Sequence, residues 1–404
     1  MTKSISTDSE IHKVTQGPMH HFFGYFGLQP WDSSGRFLLC LEVALHDRPP
    51  KADDKAIVGM VDLASSEFIP LAKTSAWNFQ QGAMVQWMPK RIDSEIIYND
   101  RRDGRVVSTI LNVQTGERRT IPYPVSAVSH DGKTALSLDF GRLQRIRPGY
   151  GYAGLDDPFT GQRHPAGDGV RLVDLETCEG EVVVSLSDVL RVYRKSSEIR
   201  NQTLCFNHTI YNTDDTRFAF LVQWRSHVIP KWVRVWRLNK LVNVGSIIFA
   251  ASLDGSDLTW LSGFEGVSHF DWLDSEEILM WARRKGEEHF FLIHGRDGSY
   301  RVVGENFLNE DGHCSFSPDR KWVLLDGCPD KNRCTELKLF KWREQRLFLL
   351  GRFYSPPLYT GEIRCDLHPR WNRNGAKVCF DSTHDGTRQV YVADVSHITD
   401  KQVS

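Results

Sequence analysis

One hydrophobic pattern recurs along the chain. Each copy has an aromatic or apolar anchor, a short turn rich in Asp, Asn, Ser or Gly, and then a hydrophobic segment of strand length. The anchors of the seven copies are Trp31, Trp87, Val128, Tyr211, Trp272, Phe316 and Trp371. Further short alternating segments lie between the copies, and helical periodicity is nearly absent. Units of about 40–50 residues with about four strands each are typical of propeller blades.

The pattern therefore predicts an all-β fold in which residues 1–404 form a single seven-bladed β-propeller. The N-terminal segment near His20–Gly27 is expected to contribute a strand that closes the ring and leaves no open sheet edge. Residues 141–169 are rich in Gly and Pro and are predicted to be an inserted loop. Two stacked β-sandwiches are the alternative fold.

Composition and charge exclude several classes of protein. Lys and Arg total 50 against 51 Asp and Glu, so no long-range attraction to phosphate is expected and no nucleic-acid partner is predicted. No apolar stretch is long enough to cross a membrane. The N-terminal residues lack the apolar core of a secretory signal, so we expect a cytoplasmic protein whose eight cysteines are free thiols or metal ligands. No feature of the sequence indicates an oligomeric state.

Four histidines occupy the same place in the last four copies, three residues before the aromatic anchor: His208, His269, His313 and His368. The innermost strand of every blade lines the central channel, so equivalent positions in neighbouring blades converge. Four imidazoles in one polar cavity suit a divalent-metal site or an acid–base site. Asp366 lies two residues before His368, on the same strand face, and is a fifth candidate. Hydrogen bonding of each histidine within its own blade is the alternative.

Other polar residues are candidates for catalysis and for substrate binding. Arg147 and Tyr150 in the insertion are predicted to be catalytic residues that act on an anionic sugar, because guanidinium pairs with carboxylate and a tyrosine can stack or donate a proton. The further candidates for substrate contact are His20, His21, Gln81, Arg101 and Tyr152. Cys314, Cys328, Cys334 and Cys365 are a rival metal site, although no C-x-x-C spacing occurs among them.

The segments that carry these residues resemble the β-propeller polysaccharide lyases, which include the oligogalacturonate lyases and, more distantly, the propeller ulvan lyases. The segments are HHFFGYFGLQPW, AWNFQQGAMVQW, RPGYGY, FNHTIYN, SHFDW, DGHCSFSPD and RCDLHPRW. The resemblance runs from about His20 to Val395 and is firmest in the last four copies.

The resemblance implies β-elimination from a uronate-containing oligosaccharide, which would be an anionic substrate. It places the catalytic base at His208 and metal ligands at His269 and His368, with Asp366 where the family has a histidine. His313 matches a further family histidine and is included among the metal candidates. A divalent metal (manganese, zinc or calcium) or an arginine would neutralise the uronate carboxylate, and a tyrosine or water would protonate the leaving oxygen.

Two other functions are compatible with the sequence. The first is a propeller hydrolase acting on a rhamnosyl-glucuronate linkage, with His20 or His21 as its catalytic histidine. The second is a propeller that binds a glycan or a protein without catalysis, since propellers serve many functions. A lyase is distinguished by an unsaturated uronate product that absorbs in the ultraviolet.

Overall fold

Seven antiparallel sheets follow one another along the chain in the computed structural model, which describes residues 5–6, 9–225, 244–261 and 263–399. Each sheet has four strands of its propeller blade, and the sixth carries one more at its outer edge. The predicted seven-bladed β-propeller is confirmed, and the sandwich alternative is wrong.

The strands are given blade by blade, from the channel outward. Blade 1 contains His20–Phe22, Phe37–Val43, Ala56–Asp62 and Glu67–Thr74. Blade 2 contains Gln86–Trp87, Glu95–Arg102, Arg105–Asn112 and Arg118–Ile121. Blade 3 contains Ala127–Val128, Thr134–Ser137, Gly169–Asp174 and Gly180–Ser185. Blade 4 contains Leu204–Tyr211, Arg217–Arg225, Val244–Ser252 and Thr259–Trp260.

The remaining blades repeat this order. Blade 5 contains Phe270–Trp272, Glu277–Arg284, Glu287–His294 and Tyr300–Val303. Blade 6 contains Cys314–Phe316, Trp322–Leu325, Cys334–Lys341 and Arg346–Tyr354, with Ile5–Ser6 added in parallel at its outer edge. Blade 7 contains Arg370–Trp371, Lys377–Ser382, Gln389–Asp394 and Ile11–Lys13.

The middle strands carry hydrophobic residues at their centres because blades pack against them on both faces. Phe218–Val222 of blade 4, for example, are fully buried. All seven sequence anchors lie on, or bridge into, the innermost layer of their blades. The repeat therefore places the start of each blade at the channel, where side chains from different blades meet.

The ring is closed by a different N-terminal strand from the one expected. Ile11–Lys13 pairs antiparallel with Gln389–Asp394 and becomes the outer strand of blade 7. His20–Phe22 pairs instead with Phe37–Val43 of its own blade. The strand expected near His20–Gly27 is thus the first strand of blade 1, and closure comes from residues about ten positions earlier.

The insertion in blade 3 begins as a helix, not as a loop. Phe140–Ile146 is helical because the Asp139 side chain caps it, accepting hydrogen bonds from the backbone N–H groups of Gly141 and Arg142. The other described α-helices are Leu186–Val192, Ser196–Ile199 and Ser396–Thr399, and short 3₁₀ turns span Pro89–Arg91 and Gly361–Ile363. No helix among the described residues has the length and apolar character needed to cross a membrane.

A short segment after the first strand of blade 1 leaves the sheet and enters the channel. It turns at Gly24, whose φ is +103° and whose Cα lies so close to the Gly82 backbone that a Cβ would meet Gly82 N at 2.5 Å. Asp381 of blade 7 accepts hydrogen bonds from the backbone N–H groups of Phe23 and Gly24, both at 3.1 Å, and forms a buried ion pair with Arg370 at 3.0 Å.

We expect Asp381→Ala to lower the free energy of unfolding by about 3–5 kcal/mol, because it leaves a buried guanidinium and two backbone N–H groups without their acceptor. Urea unfolding followed by tryptophan fluorescence measures the change. Glu288→Ala, which breaks the exposed Arg283–Glu288 pair, is the control and should cost at most about 1 kcal/mol. Equal effects of the two variants would contradict the structural role of Asp381.

Candidate functional site

A polar cavity of about 400 Å³ opens at the channel among the blades that carry the four histidines. Its lining includes His208, His269, His313, Asp366, Arg147 and Tyr150. The volume is in the range of small-ligand sites. Six of the seven residues predicted to be catalytic or metal-binding therefore face one space.

The four repeat histidines surround the ring of Phe26, which comes from the segment that enters the channel. The ring centroid of Phe26 lies 6.2 Å from His208, 5.6 Å from His269, 5.0 Å from His313 and 6.5 Å from His368. The ring centroids of His269 and His313 are 4.0 Å apart, and those of His313 and His368 are 4.2 Å apart. The structure thus brings the four histidines together, as the repeat register predicted.

His208 is turned toward the channel by an irregularity in its strand. The pairing register shifts between Asn207 and Ile210, and His208 has a φ of +49°, a region that non-glycine residues seldom adopt. Its Nδ1 lies 2.7 Å from the hydroxyl oxygen of Tyr25. Burial, together with electrostatic interaction with the neighbouring His269 and Arg147, holds the pKa of His208 well below its ordinary value of 6.5. This histidine is therefore a neutral base at neutral pH.

Two carboxylates face the next two histidines. His269 Nδ1 lies 3.1 Å from an oxygen of Asp311, and His313 Nδ1 lies 3.0 Å from both oxygens of Asp326. Burial and the neighbouring His313 lower the pKa of His269, although Asp311 opposes them. Burial acts to lower the pKa of His313 as well, but there the Asp326 carboxylate outweighs it and the pKa is raised.

Three of the four predicted metal ligands form a group that fits a divalent cation. The donor atoms of His313, Asp366 and His368 all lie within 4.8 Å of one another. Asp326 engages His313 at Nδ1, which leaves Nε2 as the ligand atom, and accepts a hydrogen bond from the His368 backbone N–H at 3.2 Å. Two imidazoles and one carboxylate suit manganese or zinc better than calcium, which prefers oxygen ligands. His269 lies beside this group but is not one of its members.

Arginine and tyrosine side chains form another part of the cavity lining. The guanidinium of Arg147 lies 4.2 Å from the ring centroid of Tyr150 and donates a hydrogen bond to Gln223 at 2.9 Å. Arg364 donates to the Tyr150 hydroxyl oxygen and to Asp366, both at 2.7 Å. Burial raises the pKa of Tyr150, but the charges of Arg364 and Arg147 outweigh it, so the pKa is lowered. Tyr150 is thus a phenol made more acidic than usual.

The two histidines predicted for substrate contact do not line the cavity. His21 is buried between Gln389 and Glu42, with a ring nitrogen 3.1 Å from each side chain. His20 is also buried and stacks on His46 at 4.4 Å. Both lie on the first strand of blade 1 before the chain turns inward, so their side chains stabilise the contact between blades 1 and 7.

The other three predicted substrate contacts also lie outside the cavity. Gln81 donates a hydrogen bond to the Asn207 side chain at 3.0 Å, one residue from His208. Arg101 donates to the carbonyl oxygens of Ala153 and Gly154 and so holds the blade 3 insertion. Tyr152 is fully buried, stacks on Phe140 at 4.5 Å and bonds to Asn99 at 2.9 Å.

The cysteines do not assemble a metal site. Cys328 and Cys365 line the cavity, but among the described residues only the group formed by His313, Asp366 and His368 meets the distance requirement for a metal site. Burial raises the pKa of Cys328 and of Cys365 to about 12, so neither is a thiolate at neutral pH.

Several cavity residues were missed by sequence reasoning. They are Arg333, Arg364, Asp311 and Asp326. Tyr25 and Phe26, which contact the channel histidines without lining the cavity, were missed as well. Asp326 could have been found from strand register, since Cys314 pairs with Leu325 and the residue opposite His313 is then Asp326. The others come from loops between strands or from the segment in the channel, and no periodic signal marks them.

Comparison with known proteins finds similar solved structures, but no family model matches the chain and no curated protein matches it by sequence. An oligogalacturonate lyase from Vibrio parahaemolyticus is similar over 97% of this chain and 95% of its own, with 15% identity and a TM-score of 0.65. An oligogalacturonate lyase solved in complex with manganese has 18% identity, the same coverage and a TM-score of 0.65.

A puromycin-hydrolysing peptidase from Mycobacterium tuberculosis is also similar, with 11% identity and a TM-score of 0.52, over 89% of this chain and 50% of its own. The similarity to the two lyases covers nearly the full length of this chain and of theirs, whereas the similarity to the peptidase covers only half of the peptidase chain. The chain therefore has the seven-bladed propeller fold of the oligogalacturonate lyases over almost its whole length.

Proposed function

We propose that this protein is a lyase that cleaves a uronate-containing oligosaccharide by β-elimination. The observation that carries the proposal is one cavity lined by a neutral histidine, His208, by the cationic Arg147, and by His313 and Asp366, which together with His368 form a group suited to a divalent cation. A binding propeller has no need for an uncharged buried base beside two sources of positive charge. The full-length likeness to oligogalacturonate lyases supports the same reaction class.

Neutralising the carboxylate is the first requirement of this reaction. The proton at C5 of a uronate is only weakly acidic, and it becomes more acidic as negative charge building on the carboxylate is stabilised. The Arg147 guanidinium has no carboxylate within ion-pair distance among the described residues, so it is available to pair with the uronate. A divalent cation bound by His313, Asp366 and His368 would supply further positive charge to that carboxylate.

His208 then removes the proton and Tyr150 completes the elimination. The imidazole takes the C5 proton, the C5–H electrons form the C4–C5 double bond, and the bond from C4 to the glycosidic oxygen breaks. Tyr150 accepts its hydrogen bond from Arg364, so its own O–H proton is free to pass to the departing oxygen. The lowered pKa of Tyr150 makes that transfer easier.

Ultraviolet absorbance of the unsaturated product tests the proposal. The purified protein is incubated with oligogalacturonates, ulvan fragments and rhamnosyl-glucuronate glycans, with and without a chelator. A chelator-sensitive rise on one substrate supports the lyase and identifies its sugar. New reducing ends without absorbance would replace the lyase by a hydrolase, and neither signal on any substrate would favour a binding propeller.

The pH dependence of the reaction follows from the state of His208. The base must be unprotonated, so activity falls as pH drops through its pKa, which lies well below 6.5. We therefore expect kcat/KM to stay constant between pH 7.5 and about pH 6, with the acid limb at lower pH. Initial rates from pH 4.5 to 8 measure it, and an acid limb at or above pH 6.5 would contradict a buried histidine base.

A further inference from the structure

The tyrosine behind His208 belongs to the segment of blade 1 that enters the channel. Tyr25 is 2% exposed, its ring lies nearly parallel to His208 at 5.3 Å, and its hydroxyl is 2.7 Å from Nδ1. The contact crosses the channel between residues 183 positions apart in the chain. Tyr25 does not line the cavity, whereas His208 does. Tyr25 therefore contacts the face of the imidazole that is turned away from any substrate.

The position of Tyr25 is built by the surrounding fold. The backbone N–H groups of Phe23 and Gly24 are held by Asp381, and the next residue, Phe26, is packed among the four channel histidines. A tyrosine that only filled space would not need its hydroxyl aimed at a ring nitrogen. The hydrogen bond is thus a fixed feature of the channel and not a chance surface contact.

The hydrogen bond constrains which nitrogen of His208 can act as a base. A neutral imidazole carries one N–H, and no described residue forms a hydrogen bond with Nε2 of His208. If Tyr25 donates to Nδ1, Nε2 carries the imidazole proton. The nitrogen that faces the cavity is then an N–H donor and cannot accept a proton from a substrate. If Nδ1–H donates to the Tyr25 oxygen, Nε2 presents its lone pair to the cavity.

We propose that Tyr25 is a positioning residue that accepts a hydrogen bond from Nδ1–H of His208 and so keeps Nε2 unprotonated toward the cavity. The same bond persists after His208 takes a proton at Nε2, so no rotation of the ring is needed during turnover. The kinetic part of the inference rests on the proposed lyase function, whereas the tautomer of His208 exists whether or not the protein is a lyase.

Nitrogen-15 NMR of histidine side chains tests the tautomer directly. Uniformly labelled protein at pH 7.5 should give a His208 signal with a protonated Nδ1 and an unprotonated Nε2, assigned by its loss in His208→Gln. In Tyr25→Phe, which keeps the ring and removes the hydroxyl, we expect the signal to move toward the Nε2–H form that free histidine favours. A protonated Nε2 in the unmodified protein would overturn the proposal.

Kinetics on the substrate identified in the absorbance assay provide the second readout. Tyr25→Phe should lower kcat by about 10²-fold with little change in KM, because the substrate is bound but meets the wrong tautomer. Tyr152→Phe is the matched control, since it removes the hydroxyl of another buried, ring-stacked tyrosine outside the cavity, and it should leave kcat unchanged.

The outcomes separate the inference from the proposed function. A protonated Nδ1 of His208 in the NMR spectrum, together with no lyase activity, would contradict the proposed function and support the proposed tautomer. An unchanged tautomer and unchanged kcat in Tyr25→Phe would overturn the role of Tyr25 even if the lyase is established. If Tyr25→Phe does not fold, the spectrum of the unmodified protein still decides between the two hydrogen-bond directions.

Discussion

His208→Ala is expected to lower kcat for uronate elimination by about 10²- to 10⁴-fold, the range that a positioned general base contributes. The side chain lines the cavity, is neutral at pH 7, and has its Nδ1 engaged by Tyr25, so nothing else replaces the lone pair it presents. The measurement is the rate of ultraviolet absorbance increase at saturating substrate. KM should change little, because the carboxylate is held by other residues.

His20→Ala is the matched control for that loss. It also removes a buried imidazole, but from the interface between blades 1 and 7, where His20 stacks on His46. Its kcat should match that of the unmodified protein once both are shown to be folded by circular dichroism. The reverse result, with activity lost in His20→Ala and kept in His208→Ala, would contradict the role of His208 and favour the hydrolase alternative, in which His20 or His21 is the catalytic histidine.

The fold was predictable because its signal is repeated and local. Each blade begins with an anchor such as Trp272 or Trp371, followed by a turn and a buried strand, and seven repetitions determine the ring. The same register places His269 and His313 at equivalent points of adjacent blades, so their 4.0 Å contact follows from the repeat itself. Residues that obey the blade periodicity are the ones that sequence reasoning can place.

The rest of the site depends on contacts that have no period. Tyr25 meets His208 across the channel because the chain leaves blade 1 at Gly24. Arg364 reaches Tyr150 over 214 positions, from a connection between blades to an insertion. A pair such as His20 and His21 looks functional in sequence, yet its strand ends before the inward turn, so both rings pack inside the fold.

If the proposed cation takes part in the reaction, chelation should lower the activity by about 10²-fold or more, since a Lewis acid contributes several kcal/mol to stabilising developing charge. The protein is treated with a chelator, dialysed and assayed, and manganese or zinc is then added back. These two ions should restore activity more effectively than calcium, because the group formed by His313, Asp366 and His368 offers two imidazoles and one carboxylate. Full activity after exhaustive chelation would leave charge neutralisation to Arg147 alone.

Asp326→Asn tests which residues hold the cation. Asp326 contacts Nδ1 of His313 and the backbone N–H of His368, so it orients two of the three ligands without being one of them. Its loss should weaken cation affinity by about 10- to 100-fold, measured by calorimetric titration of the apoprotein with manganese. Asp311→Asn is the control, because Asp311 faces His269, which is not a member of the group. The affinity of this variant for manganese should stay close to that of the unmodified protein. If Asp311→Asn causes the larger loss, the cation lies nearer His269, where the family resemblance places a ligand.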